Sequence, residues 1–366
     1  MAEAKQAESK NISTFYTRLF VAAFALAECL THFGSIQGDS PGYIDMVKLF
    51  RGTATTQEAL VLTWHGMLRP VVPMLAVPVS FFTSYATAIA VVSTEFVILG
   101  ALTTYQFGTK LLGDEVGLVS AVGFASASPV LGYGAAVLTD GPGYAMMVIL
   151  LYAIVILLPE RKDLKFALLT GVLVGLGILT KETTVVVLLF LILYYLMNRD
   201  KIAAFSVLAI LILGGAIPLI WAHIIGQSYL GFYGQGLAYT GAGYDGPLLH
   251  PRLFMLSGVL AYTLLLPFAF MAFFTLVDKN IFKILFMILI STGLLVLCWP
   301  TLPETRFTFL TFPAVIPFAA LGITQASEIL AGRPFLDVFS KKQWLILILI
   351  AVVAATNASR GYLRLV

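Results

Sequence analysis

Two short stretches carry the first chemistry this sequence offers. Asp39-Ser40-Pro41-Gly42-Tyr43 and Asp140-Gly141-Pro142-Gly143-Tyr144 each set a carboxylate ahead of the same Pro-Gly-Tyr. A positioned carboxylate can take the proton from an attacking hydroxyl, a service worth ~10²- to 10⁴-fold in rate. The same residues also read as helix starts, with Asp39 or Ser40 in one copy and Thr139 or Asp140 in the other as caps, and proline in the first turn. Taken alone, neither copy decides between base and cap.

Cations that suit a phosphate stand between and after these stretches. Arg69 lies in TWHGMLRPVVP, with Trp64 and His65 just before it. Its planar fork matches phosphate oxygens with paired charge-assisted hydrogen bonds, and the alternative is a snorkelling arginine beside an interfacial tryptophan. Lys181 and Glu182 sit between two apolar runs in GILTKETT, either a structural ion pair at a helix break or a phosphate contact with its counter-charge. Glu304 and Arg306 in WPTLPETRFTFL repeat the association of cation and carboxylate. The Gly/Tyr-rich segment GQSYLGFYGQGLAYTGAGYDG, from Gly226 to Gly246, reads as a mobile loop whose rings could stack on sugars, or as a plain linker. No phosphate-binding GxxxxGK[ST] or GxGxxG follows a strand pattern.

Metal chemistry finds little support. His32, His65, His223 and His250 show no paired ligand spacing, and Asp39 has no acidic neighbour before Asp45, so no metal and no cofactor are expected. Cys29 and Cys298 fall inside apolar runs and read as small hydrophobes, which leaves no disulfide framework.

The elements that must position these groups are membrane spans. The chain is 59% hydrophobic and 11% charged with a mean hydropathy of +0.94, outside the range of soluble domains. Apolar runs predict about eleven spans in an all-α polytopic bundle: 15–34, 82–109, 116–136, 142–158, 165–180, 183–197, 202–225, 253–277, 283–299, 307–330 and 342–359. The first reads as an anchor rather than a removable signal. The short connectors PERKDLK, NRDK and DKNIFK are basic, which predicts a cytoplasmic N-terminus. With that threading Asp39, His65, Arg69, Asp140, Lys181, Glu182, Glu304 and Arg306 all emerge on the outer face of a multi-pass, plasma-membrane protein.

Within the first outer loop, 35–81, PGYIDMVKLFR spaces Tyr43, Met46, Val47 and Phe50 on one side and Asp45, Lys48 and Arg51 on the other. That spacing predicts an amphipathic helix lying in the interface. Residues 66–80, with Pro70, Pro73 and Pro78, read as a loop or a re-entrant segment. Glu28, His32 and Glu95 fall inside spans, where ionisable groups are costly.

With these residues in place, the sequence resembles the GT-C superfamily of integral-membrane glycosyltransferases, in particular the branch of protein O-mannosyltransferases and lipid A aminoarabinose transferases. The likeness rests on the order of GDSPGY, LRPVVP, LTDGPGY, GLGILTKE and ETRF ahead of FPAVIPFAALG. It implies a single transmembrane domain over 1–366 and a polyprenyl-phosphate-linked sugar donor. It further implies an outer-face acceptor that is a lipid, glycan or protein, and no dealings with nucleic acid. It casts Asp39 as general base and Asp140 as a second carboxylate of the site, with Arg69, Lys181 and Arg306 as phosphate contacts. Tyr43, His65, Tyr144, Glu182 and Glu304 complete the expected substrate-binding set. Two departures stand out. Several relatives pair acids in the first loop around a metal where GDSPGY has one, and no soluble C-terminal domain follows the last span. The competing expectation is a flippase or secondary transporter for a polyprenyl-linked sugar, with a non-catalytic subunit of an envelope complex as a third; transport sites are expected at mid-membrane depth, whereas these charges gather at one face.

Overall fold

The computed structural model describes residues 2–36, 39–54, 67–127, 130, 134–199, 201–228, 265–276, 278–298, 312–333 and 339–363. Among them all regular structure is helical, as the run lengths require: α1 (Ala2–Leu30), α2 (Ser40–Phe50), α3 (Val71–Val79), α4 (Tyr85–Leu112), α5 (Asp114–Ala125), α6 (Asp140–Tyr152), α7 (Leu164–Thr180), α8 (Val186–Met197), α9 (Ala204–Ile224), α10 (Leu266–Thr275), α11 (Lys279–Cys298), α12 (Phe312–Ala331) and α13 (Lys341–Leu363). By length and composition Ser13–Leu30, Tyr85–Leu112, Asp140–Arg161 and Ala204–Ile224 can each cross a bilayer. Leu164–Thr180, Glu182–Met197, Leu266–Thr275 and Val315–Ala331 are shorter apolar helices.

Helix α4 organises the first half of the bundle, packing on α1, α3, α5 and α6. Close approach is possible because Gly100 has no side chain; a Cβ there would lie 2.9 Å from Ala145 on α6 and 2.9 Å from Phe124 on α5. Helix α6 runs on to Arg161 through a π-helical turn at Ala153–Leu157. The turn precedes Pro159, which has no N–H to return to the preceding turn, so the ladder widens there. Helix α7 packs along α9, and α12 ties α5 to α10 and α13.

Three expectations change. The span expected over 116–136 ends as a helix at Ala125, where the Ser126 hydroxyl turns back to the Val122 carbonyl at 2.8 Å. Residues 134–139 instead run as a bent segment beside the chain leaving α1, with Gly34 N–H on the Ala135 carbonyl and Val137 N–H on the Ser35 carbonyl, both at 3.0 Å. The proline-rich stretch after Arg69 is helical: Pro73 sits in the first turn of α3, where no N–H is needed, and only Pro78 interrupts the ladder. Helix α2 is present as predicted, but its apolar face is not laid on lipid. Tyr43 and Val47 are buried in a small separate core with Val72, Ala76, Ala88, Ile89, Val92 and residues 136–138. A second helix, α3, covers the face that the spacing alone assigned to the interface.

Candidate active site

Four elements meet where the two Pro-Gly-Tyr motifs begin. Asp39 is the residue at the N-cap position of α2, yet its carboxylate accepts no capping hydrogen bond, and it is half-buried. Pro41 in the first turn already supplies a preset φ and lacks an N–H, so the helix start does not depend on the acid. Asp140 opens α6 behind Thr139, whose side chain makes no cap; Asp140 is fully buried and its Oδ1 lies 3.0 Å from the Lys181 ammonium. Lys181 reaches it because α7 breaks at Thr180 and the chain becomes extended at Lys181 (φ −155°, ψ 122°) before a 3₁₀ turn, Glu182–Val185.

Gly143 makes room for that reach. A Cβ on Gly143 would stand 2.6 Å from Lys181 Cβ and 2.9 Å from its Cγ. Gly141 likewise touches Gly134, whose Cα would be 2.6 Å from an added Cβ. The glycines of the second motif are therefore packing requirements, beyond any role in starting a helix.

Next to this pair lies a second one. Arg69 donates from Nε and Nη2 to the two oxygens of Glu182, both at 2.6 Å, and from Nη1 to the Tyr43 hydroxyl at 2.7 Å. The Tyr43 hydroxyl also shares a hydrogen bond with Thr139 Oγ1 at 3.1 Å. Tyr43 from the first motif thus touches the residue that precedes the acid of the second. All of these groups are buried, where a bidentate charge-assisted pair holds geometry well and a broken pair is costly. Burial pushes the Tyr43 phenol above its ordinary range against the pull of the Arg69 guanidinium, and the nearby Asp39 and Asp140 push in the same direction as burial. Burial opposes the charge on Arg69, but Glu182 and Tyr43 outweigh it and keep the guanidinium protonated.

An apolar groove of ≈ 240 Å³ opens beside Glu182, between Ile178, Val185 and Leu188 on one side and Pro218 and Leu219 on the other. Leu219 is exposed, so the groove runs from a charged end to the apolar surface of the bundle. Trp221, on the same helix as Pro218, donates from Nε1 to the Met67 carbonyl at 2.7 Å and pins the chain that leads into Arg69.

Of the residues expected at the site, the structure brings together Asp39, Tyr43, Arg69, Asp140, Lys181 and Glu182. Tyr144 is buried on α6. His65, Glu304, Arg306 and the Gly/Tyr-rich loop past Ser228 lie outside the described residues. Thr139 and Trp221 were not singled out for the site. Thr139 is written next to Asp140 in LTDGPGY and was visible only as a cap; Trp221 had no signal beyond lying near the end of an apolar run.

The fold is that of the GT-C membrane glycosyltransferases. Two solved structures of ArnT from Cupriavidus metallidurans superpose on nearly the whole chain: in the apo state with a TM-score of 0.60, 13% identity, and 96% of this chain and 73% of that chain covered; and bound to undecaprenyl phosphate with a TM-score of 0.59, 12% identity, and 94% and 72% covered. Within that class, residues 70–225 match the family Dolichyl-phosphate-mannose-protein mannosyltransferase, a segment that contains Asp140, Lys181 and Glu182. Together these matches support a GT-C superfamily membrane glycosyltransferase. No curated protein matches the sequence. The apolar helices and this fold make the chain an integral membrane protein.

Proposed function

We propose that the protein transfers a sugar from a polyprenyl-phosphate donor to an acceptor at the outer face of the plasma membrane, by single displacement with inversion, Asp39 serving as general base. The observation that carries this reading is the contrast around Asp39: a half-buried carboxylate that does not cap its helix, set beside buried acid–base pairs that fix its surroundings. The acceptor hydroxyl loses its proton to Asp39 as its oxygen bonds to the anomeric carbon. The bond from that carbon to the lipid phosphate breaks, and the phosphate leaves with the electron pair.

Fixed cations stabilise the charge that develops on the leaving phosphate. Lys181 suits this role better than Arg69, because an ammonium on a flexible stem can redirect its donors whereas the Arg69 fork is committed to Glu182 and Tyr43. Arg306 is a further phosphate contact in this reading. Asp140 balances the Lys181 charge. The apolar groove that ends at Glu182 suits an isoprenoid chain, and the undecaprenyl phosphate bound in the ArnT structure fits a ligand of that chemistry. The basic connectors PERKDLK, NRDK and DKNIFK support a cytoplasmic N-terminus and hence an outward site.

The test is transfer by the purified protein against a panel of polyprenyl-phosphate sugars, wild type beside Asp39→Asn. Turnover falling ~10²- to 10⁴-fold in a variant that unfolds at the wild-type temperature is the expected outcome. Full transfer by Asp39→Asn removes Asp39 from the chemistry. Wild-type protein that consumes no donor would favour the flippase reading.

A further inference from the structure

Helix α4 carries a carboxylate on its outward face. Glu95 is exposed and forms no ion pair or hydrogen bond with any other described residue. Two landmarks set its depth. At one end of α4 the Arg51 guanidinium stacks over Phe81 and Tyr85, 4.5 and 5.5 Å from the ring centroids; at the other Lys110 meets Glu160 at 3.6 Å, both side chains exposed. At about 1.5 Å per residue Glu95 stands ~15 Å from Tyr85 and ~22 Å from Lys110, well inside a hydrocarbon layer of roughly 30 Å.

The opposite face of α4 is occupied by the bundle, through Ser93, Val97, Gly100, Ala101, Thr104 and Phe107. Glu95 therefore points away from the described helices that pack on α4. It is not alone there: Leu99 is exposed, and Thr103 and Gln106, both partly exposed, continue the same stripe toward Lys110. Thr103 is satisfied by the Leu99 carbonyl at 2.8 Å, whereas Glu95 and Gln106 carry polar ends that hydrocarbon cannot solvate.

We propose that this stripe is a docking surface for a transmembrane helix of another membrane protein that presents a basic side chain at the depth of Glu95. Charge selects this occupant over a second copy of the chain. Across a two-fold axis through this stripe, Glu95 of one copy would face the same side chain of the other. A two-fold pairing of this face would gather further carboxylates in lipid, while a lysine or arginine from a different helix neutralises what is present. The stripe is on the face of α4 opposite Ser93, which meets the Leu138 carbonyl at 3.2 Å.

The test uses the labelled full-length protein in liposomes with labelled single-span polyleucine peptides, one bearing a central lysine and one none, read by energy transfer. The lysine peptide is expected to associate about tenfold more tightly than the plain one, and Glu95→Gln and Glu95→Leu to abolish the difference while leaving the unfolding temperature unchanged. Equal association of the two peptides overturns the proposal. So does a preference that survives in both Glu95 variants, or wild-type self-association that excludes the peptide and is lost with Glu95→Gln, which would assign the face to a second copy.

Discussion

The two Pro-Gly-Tyr motifs are spelled almost alike and are used differently. In the first, the tyrosine is the buried member: Tyr43 lies between Arg69 and Thr139, while Asp39 is half-buried at a helix start it does not cap. In the second, the acid is structural: Asp140 is buried against Lys181, and the glycines exist to let Lys181 and Gly134 come close. A carboxylate already neutralised by a buried cation is a poor base. One kept beside the charge network without a capping duty is a better one, and this is why the two acids deserve different roles.

Variants that break the shared framework should have the largest effects on stability. Arg69→Met strands Glu182 and loosens Tyr43, and removing one partner of a buried pair is expected to cost about 3–5 kcal/mol, read as a fall in unfolding temperature in detergent. Gly143→Ala pushes a methyl into the Lys181 stem. A cost of about 1–3 kcal/mol is expected from such overpacking, together with reduced transfer, and a variant as stable as wild type would mean that Lys181 does not lie across the second motif. Tyr43→Phe keeps the ring in its core and removes one hydroxyl, so the expected loss is about 1–3 kcal/mol from leaving the Arg69 and Thr139 groups unsatisfied. Lys110→Ala, at the far end of α4, should be the mildest. Its 3.6 Å pair with Glu160 is exposed on both sides, and about 1 kcal/mol or less is expected from a solvent-screened pair.

Much of the fold was legible because a bilayer makes composition speak plainly. Runs of apolar residues are long where helices cross, and Asp39, Arg69, Asp140, Lys181 and Glu182 stood out because charge is rare and costly in such a chain. Which charge meets which was not legible. Arg69 and Glu182 are separated by 113 positions and Tyr43 and Thr139 by 96, and no local pattern announces contacts across such distances. The end of α5 at Ala125 was missed for a different reason. The run after it stays apolar, and hydropathy does not separate a helix from a buried bent segment that satisfies its backbone on Gly34 and Ser35. The apolar stripe of α2 was read correctly as a stripe, but spacing says only that a face is buried, not whether lipid or α3 covers it.

The division of labour between the two acids is tested most directly by measuring sugar transfer and thermal unfolding side by side for Asp39→Asn and Asp140→Asn. The account predicts that Asp39→Asn loses ~10²- to 10⁴-fold in turnover at an unchanged unfolding temperature, while Asp140→Asn, which leaves Lys181 buried without its counter-charge, unfolds at a clearly lower temperature. An Asp39→Asn protein that transfers sugar at the wild-type rate would contradict it.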